Sequence, residues 1–388
     1  MKHRFIAKRY WNTVSTAMGE IGPLVGKYND IIDLTFGDPD FTTDDIIINS
    51  AFEDAKNGHT HYTNFYGDDE LRDEICKYYK EDFNIEIARD ETFITTSAAQ
   101  GLWLALETIT DDGDEIIIHE PFFTPYPDQV KLTRGIPVFL ETFEEEGFQI
   151  NIGRLERLIT NRTKAIILNT PNNPSGARFS GDTLNSIALI AEKYDLIVIA
   201  DDIYGLYTFD SQKNSSPFMD IKNMKERTIT ICSSSKDYAM TGWRVGYIIA
   251  PNYLIDAIEK VNENNVFTAP SVSQRALLHA IRNRKIIQPK LFEAFKERVF
   301  YAYERICATK NMSVLPPRGT FYLFPNIKET GLTSQEVAIS MLEEAHVLVI
   351  PGNGFGKSGE GFIRIACTVG TDKLKEAFDR INQMDIFK

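Results

Sequence analysis

The chain has 388 residues, 43% of them hydrophobic, which is enough for a large buried core and more than one domain. Its formal net charge of −13 argues against general nucleic-acid binding, because phosphate binding requires a basic surface. No apolar run approaches the ~18 residues of a membrane span, and the opening MKHRFIAKRYWNTV lacks the apolar core of a signal peptide. We therefore expect a cytoplasmic protein with no membrane and no nucleic-acid partner.

The four cysteines stand far apart, without the paired spacing of a zinc site, as is typical of free thiols in a reducing cytoplasm. His59 and His61 lie close together, but no third ligand stands nearby. The sequence therefore predicts no metal site.

Short, β-branched apolar runs follow one another through the middle of the chain. They lie at 115–120, 164–169, 195–201, 227–233 and 245–250. Runs that are apolar almost throughout are typical of strands buried on both faces. Helical patterns separate them, and Ser180 is a candidate N-cap for one of these helices. The alternation predicts an α/β domain with a largely parallel sheet.

The pattern changes after about residue 285, where a long charged helical stretch precedes shorter strand-like pieces. The pieces are KLFEAFKERVFYAYERICATK, GTFYLFP, HVLVIPG and GFIRIAC. They predict a smaller α+β domain. The first ~45 residues carry little periodicity, so we expect them to pack on that domain or on a partner. The expected division is a large domain at 46–285 and a small domain formed by 1–45 and 286–388.

Polar groups stand just after three of the predicted strands. NTPNNPSG follows the strand that ends near 168, DDIYG places Asp201 at a strand end with Tyr204 three residues on, and SSSK ends in Lys236. Each signal alone has a simpler explanation, such as an N-cap, a turn or a surface charge. Because ligands of open α/β sheets bind beyond the carboxyl ends of the strands, their convergence predicts a ligand site.

A further candidate is the start of a helical run at 95–106, TTSAAQGLWLAL. Ser97 and two small residues precede the apolar part of this run, and free N–H groups at a helix start can hold a phosphate.

Together these segments resemble the class I/II aminotransferases, a family of fold-type I pyridoxal-phosphate enzymes. The matching segments, in order, are IIDLTFGDPDF, HTHYTNFYGDDELRDEI, TTSAAQGLWLAL, PFFTPY, NTPNNPSG, ADDIYG, SSSKDYAMTGWRVGY and GFIRIAC. The SxSK…TGWRxGY block is the most specific of them. The resemblance implies an α/β fold whose large domain has a mostly parallel seven-stranded sheet between helices. It also implies a small α+β domain formed by both termini.

The resemblance implies three catalytic residues. Lys236 matches the lysine that forms the internal aldimine with pyridoxal 5′-phosphate, and Asp201 matches the carboxylate that pairs with the pyridine nitrogen. Tyr204 matches a group that hydrogen-bonds the 3′ oxygen of the cofactor, and Asn173 matches a second such group.

Other positions match groups that bind the cofactor or the substrate. Those implied to hold the phosphate are Ser97, the amides of Ala98 and Ala99, Ser233, Ser235 and Arg244. Phe123 stands where relatives stack an aromatic ring on the pyridine. Tyr62 matches a tyrosine that reaches the phosphate in the neighbouring subunit, which implies a homodimer with shared active sites. Arg364 would bind the substrate's α-carboxylate, near Gly37 and Asn173.

The implied reaction moves the amino group of an L-amino acid to a 2-oxo acid such as 2-oxoglutarate, by a ping-pong mechanism through pyridoxamine phosphate. A C–S β-lyase on the same fold is the alternative. A cofactor-bound regulator is disfavoured, because the chain has no basic helix-turn-helix extension. Several aromatic residues are compatible with an aromatic or aliphatic substrate and equally with ordinary core, so the amino donor stays open. They are Phe36, Phe65, Tyr66, Tyr126, Tyr322 and Phe355.

Overall fold

The computed structural model describes residues 3–10, 21–209 and 217–388. Its strands are β1 (Ile32–Asp33), β2 (Thr92–Thr95), β3 (Glu115–Glu120), β4 (Ile136–Glu141), β5 (Thr163–Asn169), β6 (Ile197–Asp201), β7 (Thr228–Ser233), β8 (Gly246–Ile249), β9 (Tyr322–Leu323), β10 (Val347–Leu348), β11 (Ile350–Pro351) and β12 (Ile363–Ala366).

Its α-helices are α1 (Gly22–Val25), α2 (Asp45–Lys56), α3 (Asp69–Phe83), α4 (Ala98–Ile109), α5 (Tyr126–Leu132), α6 (Ile152–Leu158), α7 (Gly181–Lys193), α8 (Ser234–Asp237), α9 (Asn252–Glu263), α10 (Ser271–Arg282), α11 (Arg284–Ala308), α12 (Ser334–Ala345) and α13 (Thr371–Ile381). The predicted cap of α7 is confirmed, since the Ser180 hydroxyl accepts from the Thr183 amide at 3.0 Å.

The central sheet has seven strands in the order β2-β8-β7-β6-β5-β3-β4. Strands β3 to β7 are parallel, and only β8 runs antiparallel to its two neighbours, β7 and β2. The predicted mostly parallel seven-stranded sheet is therefore confirmed. Parallel strands end at the same edge, so the segments that follow β5, β6 and β7 come together there.

Alternating side chains of the buried strands pack into two cores, one on each face of the sheet. In β3, Ile116 and Ile118 join the core beneath α4, α5 and α9, whereas Ile117 joins the core beneath α6 and α7. This two-residue period explains why the strands are apolar throughout.

Three strands form a separate antiparallel sheet in the order β11-β12-β9, which positions Arg364 on the middle strand. Strand β1 of the N-terminal segment pairs in parallel with β10. Both observations support the expected two-domain division, which stays a prediction. Residues 1–2 and 11–20 of the predicted N-terminal segment lie outside the described residues. Within the described ranges, no helix is both long and apolar enough to cross a membrane.

Candidate active site

Lys236 lies in the short helix α8, directly after β7. Its Nζ donates to the Gly37 carbonyl oxygen and lies 5.9 Å from the centroid of the Phe321 ring. The Tyr207 hydroxyl donates to the backbone carbonyl oxygen of Lys236 at 3.0 Å. Both the amine and the backbone that carries it are therefore held at the carboxyl edge of the sheet.

The first turn of α4 lies against Gly246, the first residue of β8. Ser97 caps α4 by accepting from the Gln100 amide at 3.2 Å, which leaves the N–H groups of Ala98 and Ala99 without partners inside the helix. A Cβ at Gly246 would lie 2.5 Å from the Cys232 carbonyl oxygen and 3.1 Å from the Ala98 nitrogen. The glycine thus permits the close approach of β8 to the first turn of this helix.

Two further hydroxyls stand beside this helix start. The Ser233 hydroxyl lies 2.9 Å from that of Ser235, and both residues are buried. Arg244 is in the left-handed region (φ 53°), and its exposed guanidinium donates to the Thr241 carbonyl oxygen at 2.8 Å. Across the described ranges, no hydrogen bond joins Arg244 to the serines. The helix start and the serines form a cluster of donors suited to a phosphate.

Asp201 lies at the end of β6, and burial raises the pKa of its carboxyl to about 6. The Tyr126 hydroxyl donates to Oδ2 at 2.5 Å, which partly offsets that effect. The Phe123 ring meets the Tyr126 ring edge-on at 5.5 Å. From the sequence, Tyr126 is only one of several aromatic residues compatible with a substrate or with ordinary core, because its contact with Asp201 joins positions 75 residues apart.

Arg364 is buried and donates from Nη1 to the Asn173 side-chain oxygen at 3.0 Å and from Nη2 to the Thr35 carbonyl oxygen. Its guanidinium lies 4.5 Å from the Tyr322 ring centroid and 5.1 Å from that of Phe355. Within the described chain its Nε is buried without a hydrogen-bond partner. Among the described residues this buried guanidinium contacts only neutral groups, which suits it to binding a carboxylate ligand.

Tyr204 and Gly37 both meet Tyr322. The buried Tyr204 hydroxyl donates to that of Tyr322 at 3.2 Å. A Cβ at Gly37 would lie 1.6 Å from the Tyr322 hydroxyl. The Tyr322 hydroxyl therefore occupies the space beside the Gly37 Cα, where any larger residue would collide with it.

The remaining aromatic candidates divide between the surface and the core. Tyr62 is 82% exposed and contacts only the Phe267 ring among the described aromatic residues, at a centroid distance of 5.0 Å. Phe36 is 70% exposed and directly precedes Gly37. By contrast, the half-buried Tyr66 donates to the Asp256 carboxylate at 3.0 Å and packs against the core residue Phe93.

The site therefore combines four chemically distinct groups at one edge. It has an amine for a carbonyl, phosphate donors, a buried carboxylate for a cationic ring nitrogen, and a buried guanidinium for a carboxylate. This set fits a phosphorylated aldehyde with a pyridine ring together with an amino acid.

The family model for aminotransferases of class I and II matches residues 29–381. An aspartate aminotransferase of Pyrococcus abyssi is 38% identical over 359 residues, which are 92% of each chain. An aromatic-amino-acid aminotransferase of Thermococcus litoralis is 35% identical over 357 residues, 91% of each chain.

Solved structures agree with these relatives. The aromatic aminotransferase from Pyrococcus horikoshii has a TM-score of 0.88 at 34% identity, covering 94% of this chain and 98% of its own. The aspartate aminotransferase from Thermus thermophilus, solved with maleate, has a TM-score of 0.91 at 28% identity, covering 98% and 99%. The chain thus belongs to the class I and II aminotransferases and is a transaminase that uses pyridoxal phosphate bound to a lysine, with amino acids and 2-oxo acids as substrates.

Proposed function

We propose that this transaminase moves the amino group of an L-amino acid to 2-oxoglutarate in two half-reactions, the first 2-oxo acid leaving before the second binds. The observation that carries this proposal is the position of Lys236. Its amine contacts Gly37 at the same sheet edge as Asp201 and the Asn173–Arg364 pair. In this proposal Lys236 carries the proton, Asp201 pairs with the ring nitrogen and Arg364 binds the substrate's carboxylate.

Each part of the cofactor has candidate partners in this chain. The phosphate would be held by Ser97, Ala98, Ala99, Ser233 and Ser235, with Arg244 completing the set. Asp201 would pair with the ring nitrogen, Asn173 and Tyr204 would donate to the 3′ oxygen, and Phe123 would stack on the ring. When bound, pyridoxal phosphate supplies an electron sink that draws charge away from the substrate's Cα.

Lys236 has two tasks in this proposal. Its amine would hold the cofactor covalently between turnovers. Once displaced by the substrate's amino group, Nζ would accept the proton from Cα and deliver it to the C4′ atom of the cofactor, which is the proton shift that amino-group transfer requires. Holding base and substrate at fixed positions makes this transfer effectively unimolecular. The contacts of Gly37 and Tyr207 with Lys236 supply this positioning.

The Arg364→Lys variant tests the carboxylate site. A single ammonium cannot reproduce the planar fork of a guanidinium, so we expect KM for the amino donor to rise about 10- to 100-fold, with a smaller change in kcat. Steady-state kinetics with a saturating 2-oxo acid measures this effect. Arg380→Lys, at a surface ion pair with Glu376, is the control and is expected to leave KM unchanged. An unaltered KM in Arg364→Lys would assign the carboxylate to another residue.

The products of the reaction distinguish the proposed amino-group transfer from C–S β-elimination. We expect glutamate to form in one-to-one ratio with the donor's 2-oxo acid when a panel of L-amino acids is mixed with 2-oxoglutarate. Pyruvate and ammonia released from cystathionine without an added 2-oxo acid would instead favour the β-lyase. The same panel, followed by conversion of the bound cofactor to its pyridoxamine form, identifies the preferred donor.

We also propose a cytoplasmic homodimer whose subunits share their active sites, with Tyr62 of each chain reaching the other's phosphate. Support comes from exposed aromatic side chains, which are typical of an interface. Tyr62 and Phe65 both contact the Phe267 ring at a centroid distance of 5.0 Å, and Phe36 directly precedes Gly37. The four free cysteines are compatible with a reducing cytoplasm. Sedimentation equilibrium tests the assembly, because a single-chain mass at micromolar concentration would contradict it.

A further inference from the structure

Asn169 is the last residue of β5, and it pairs directly with Asp201 in the register of β5 and β6. Its side-chain amide Nδ2 donates to the Asp201 carbonyl oxygen at 3.0 Å. Its Oδ1 accepts from the Asn173 backbone nitrogen at 2.8 Å. The Asn169 side chain, 1% exposed, therefore contacts the backbone of both the residue proposed to pair with the ring nitrogen and a residue proposed to bind the 3′ oxygen.

The backbone of Asn169 is fixed as well. Its N–H donates to the imidazole Nε2 of His119 at 3.2 Å. Burial lowers the pKa of His119 to about 4, so the ring is neutral at pH 7 and Nε2 can accept this hydrogen bond. With both backbone and side chain held, the amide of Asn169 has a single orientation.

We propose that Asn169 is a positioning residue, whose side-chain amide fixes the end of β6 that carries Asp201 relative to the turn that carries Asn173. Arg364 is included in this arrangement because it donates to Asn173. The inference rests on the proposed function, since it assigns Asn169 through the roles of Asp201 and Asn173. Asn169 itself is not expected to touch the cofactor.

A side-chain amide is required because one partner of Asn169 accepts a hydrogen bond and the other donates one. The Asp201 carbonyl must receive a hydrogen bond and the Asn173 N–H must give one, and both groups are buried. An ionised carboxylate at position 169 would accept from Asn173 but could not donate to Asp201. A protonated carboxyl could do both. An unpaired buried group is costly, so the strand end would shift to find another partner.

The Asn169→Asp variant tests this inference by its pH dependence. At pH 8 we expect the apoenzyme to bind pyridoxal phosphate about tenfold or more weakly than the wild type, as measured by equilibrium titration. As the pH falls towards 6, the new buried carboxyl should protonate and the difference from wild type should shrink. Among the described residues, the titratable groups around the site include Lys236, Asp201, Asp202, His119, Tyr126, Tyr204, Tyr322 and Arg364, so the variant is compared with the wild type at each pH.

Asn262→Asp is the matched control. It makes the same substitution at a residue that is also 2% exposed, whose Oδ1 accepts from Gln100 Nε2 at 2.8 Å and whose Nδ2 donates to the Phe267 carbonyl oxygen at 2.9 Å. Thermal unfolding of both variants measures the purely structural cost. We expect only Asn169→Asp to shift the pH at which the visible absorbance of the bound cofactor changes.

Identical cofactor affinity and identical spectra of the two variants at every pH would overturn the inference. If Asn169→Asp does not fold, Asn169→Ser replaces it and should weaken cofactor binding at all pH values without recovery at pH 6. Affinity like that of the wild type in Asn169→Ser would also overturn the inference. The proposed function fails separately, if Lys236→Ala keeps the absorbance band of the lysine-bound cofactor and the rate of amino-group transfer of the wild type.

Discussion

Replacing Lys236 with alanine is expected to abolish amino-group transfer and to remove the visible absorbance of the lysine-bound cofactor. Alanine has no amine, so the site loses its covalent hold on the cofactor and its proton carrier at the same time. A loss of at least roughly 10³-fold in turnover is expected, since general acid–base catalysis alone contributes about 10²- to 10⁴-fold. Absorbance spectra and turnover of the purified protein measure both effects.

The rest of the cofactor site is left intact by this substitution. The donors at Ser97, Ser233 and Ser235 do not depend on the lysine side chain, so the variant should still bind pyridoxal phosphate noncovalently. Lys193→Ala is the control, because Lys193 is exposed and paired with Glu156 at 2.6 Å. It should keep the spectrum and the activity of the wild type. An unchanged visible band in Lys236→Ala would refute the role of Lys236.

Much of the fold could be predicted because the central strands are buried on both faces. The run at 115–120 coincides with β3, and the other four predicted runs begin or end within two residues of their strands. Strand β4 gave no such signal, since it lies at the sheet edge, contains Pro137 and exposes Ile136 and Phe139. An edge strand is partly exposed to solvent, so its residues need not follow the apolar pattern by which a buried strand is recognised in a sequence.

A residue of the candidate site could be predicted when the sequence around it shows that it directly follows a strand of the sheet. Lys236 and Asp201 follow strands directly, so strand order alone brings them together. Contacts between distant segments carry no such local signal. The hydrogen bond from Tyr126 to Asp201 and the packing of Tyr322 against Gly37 depend on how separate elements dock, and only the three-dimensional structure gives them.

Replacing Asp201 with asparagine is expected to lower kcat by roughly 10²- to 10³-fold while leaving the fold at least as stable as the wild type. The proposed role of Asp201 needs a negative charge beside the ring nitrogen, which an amide lacks. Tyr126 can still donate to the amide oxygen, and only the longer bond that the Ile203 N–H gives to Oδ1 at 3.4 Å is lost. Stopped-flow measurement of the first half-reaction gives the rate, and thermal unfolding gives the stability.

The Asp201→Asn variant is expected to be at least as stable as the wild type because burial raises the pKa of Asp201. Burial raises the pKa of Asp201 to about 6, above its unfolded value of 3.8, so the folded state binds more protons between these two values. Stability therefore falls as pH rises through this window, and at pH 8 the buried charge opposes folding. Asparagine removes that charge. A large fall in the melting temperature at pH 8 would contradict this account.

Asp202→Asn is the matched control for Asp201→Asn, because the two carboxyls are neighbours but face different surroundings. Asp202 lines a cavity with Tyr79, Cys232 and Tyr247, away from the Tyr126 hydroxyl that contacts Asp201. Burial, and after it the charge of Asp201, raise the pKa of Asp202 to about 7, so its replacement also removes a destabilising charge at pH 8. We expect Asp202→Asn to change kcat by less than about twofold. If both variants lose activity equally, a general loss of negative charge is responsible, and Asp201 does not act as the specific partner of the ring nitrogen.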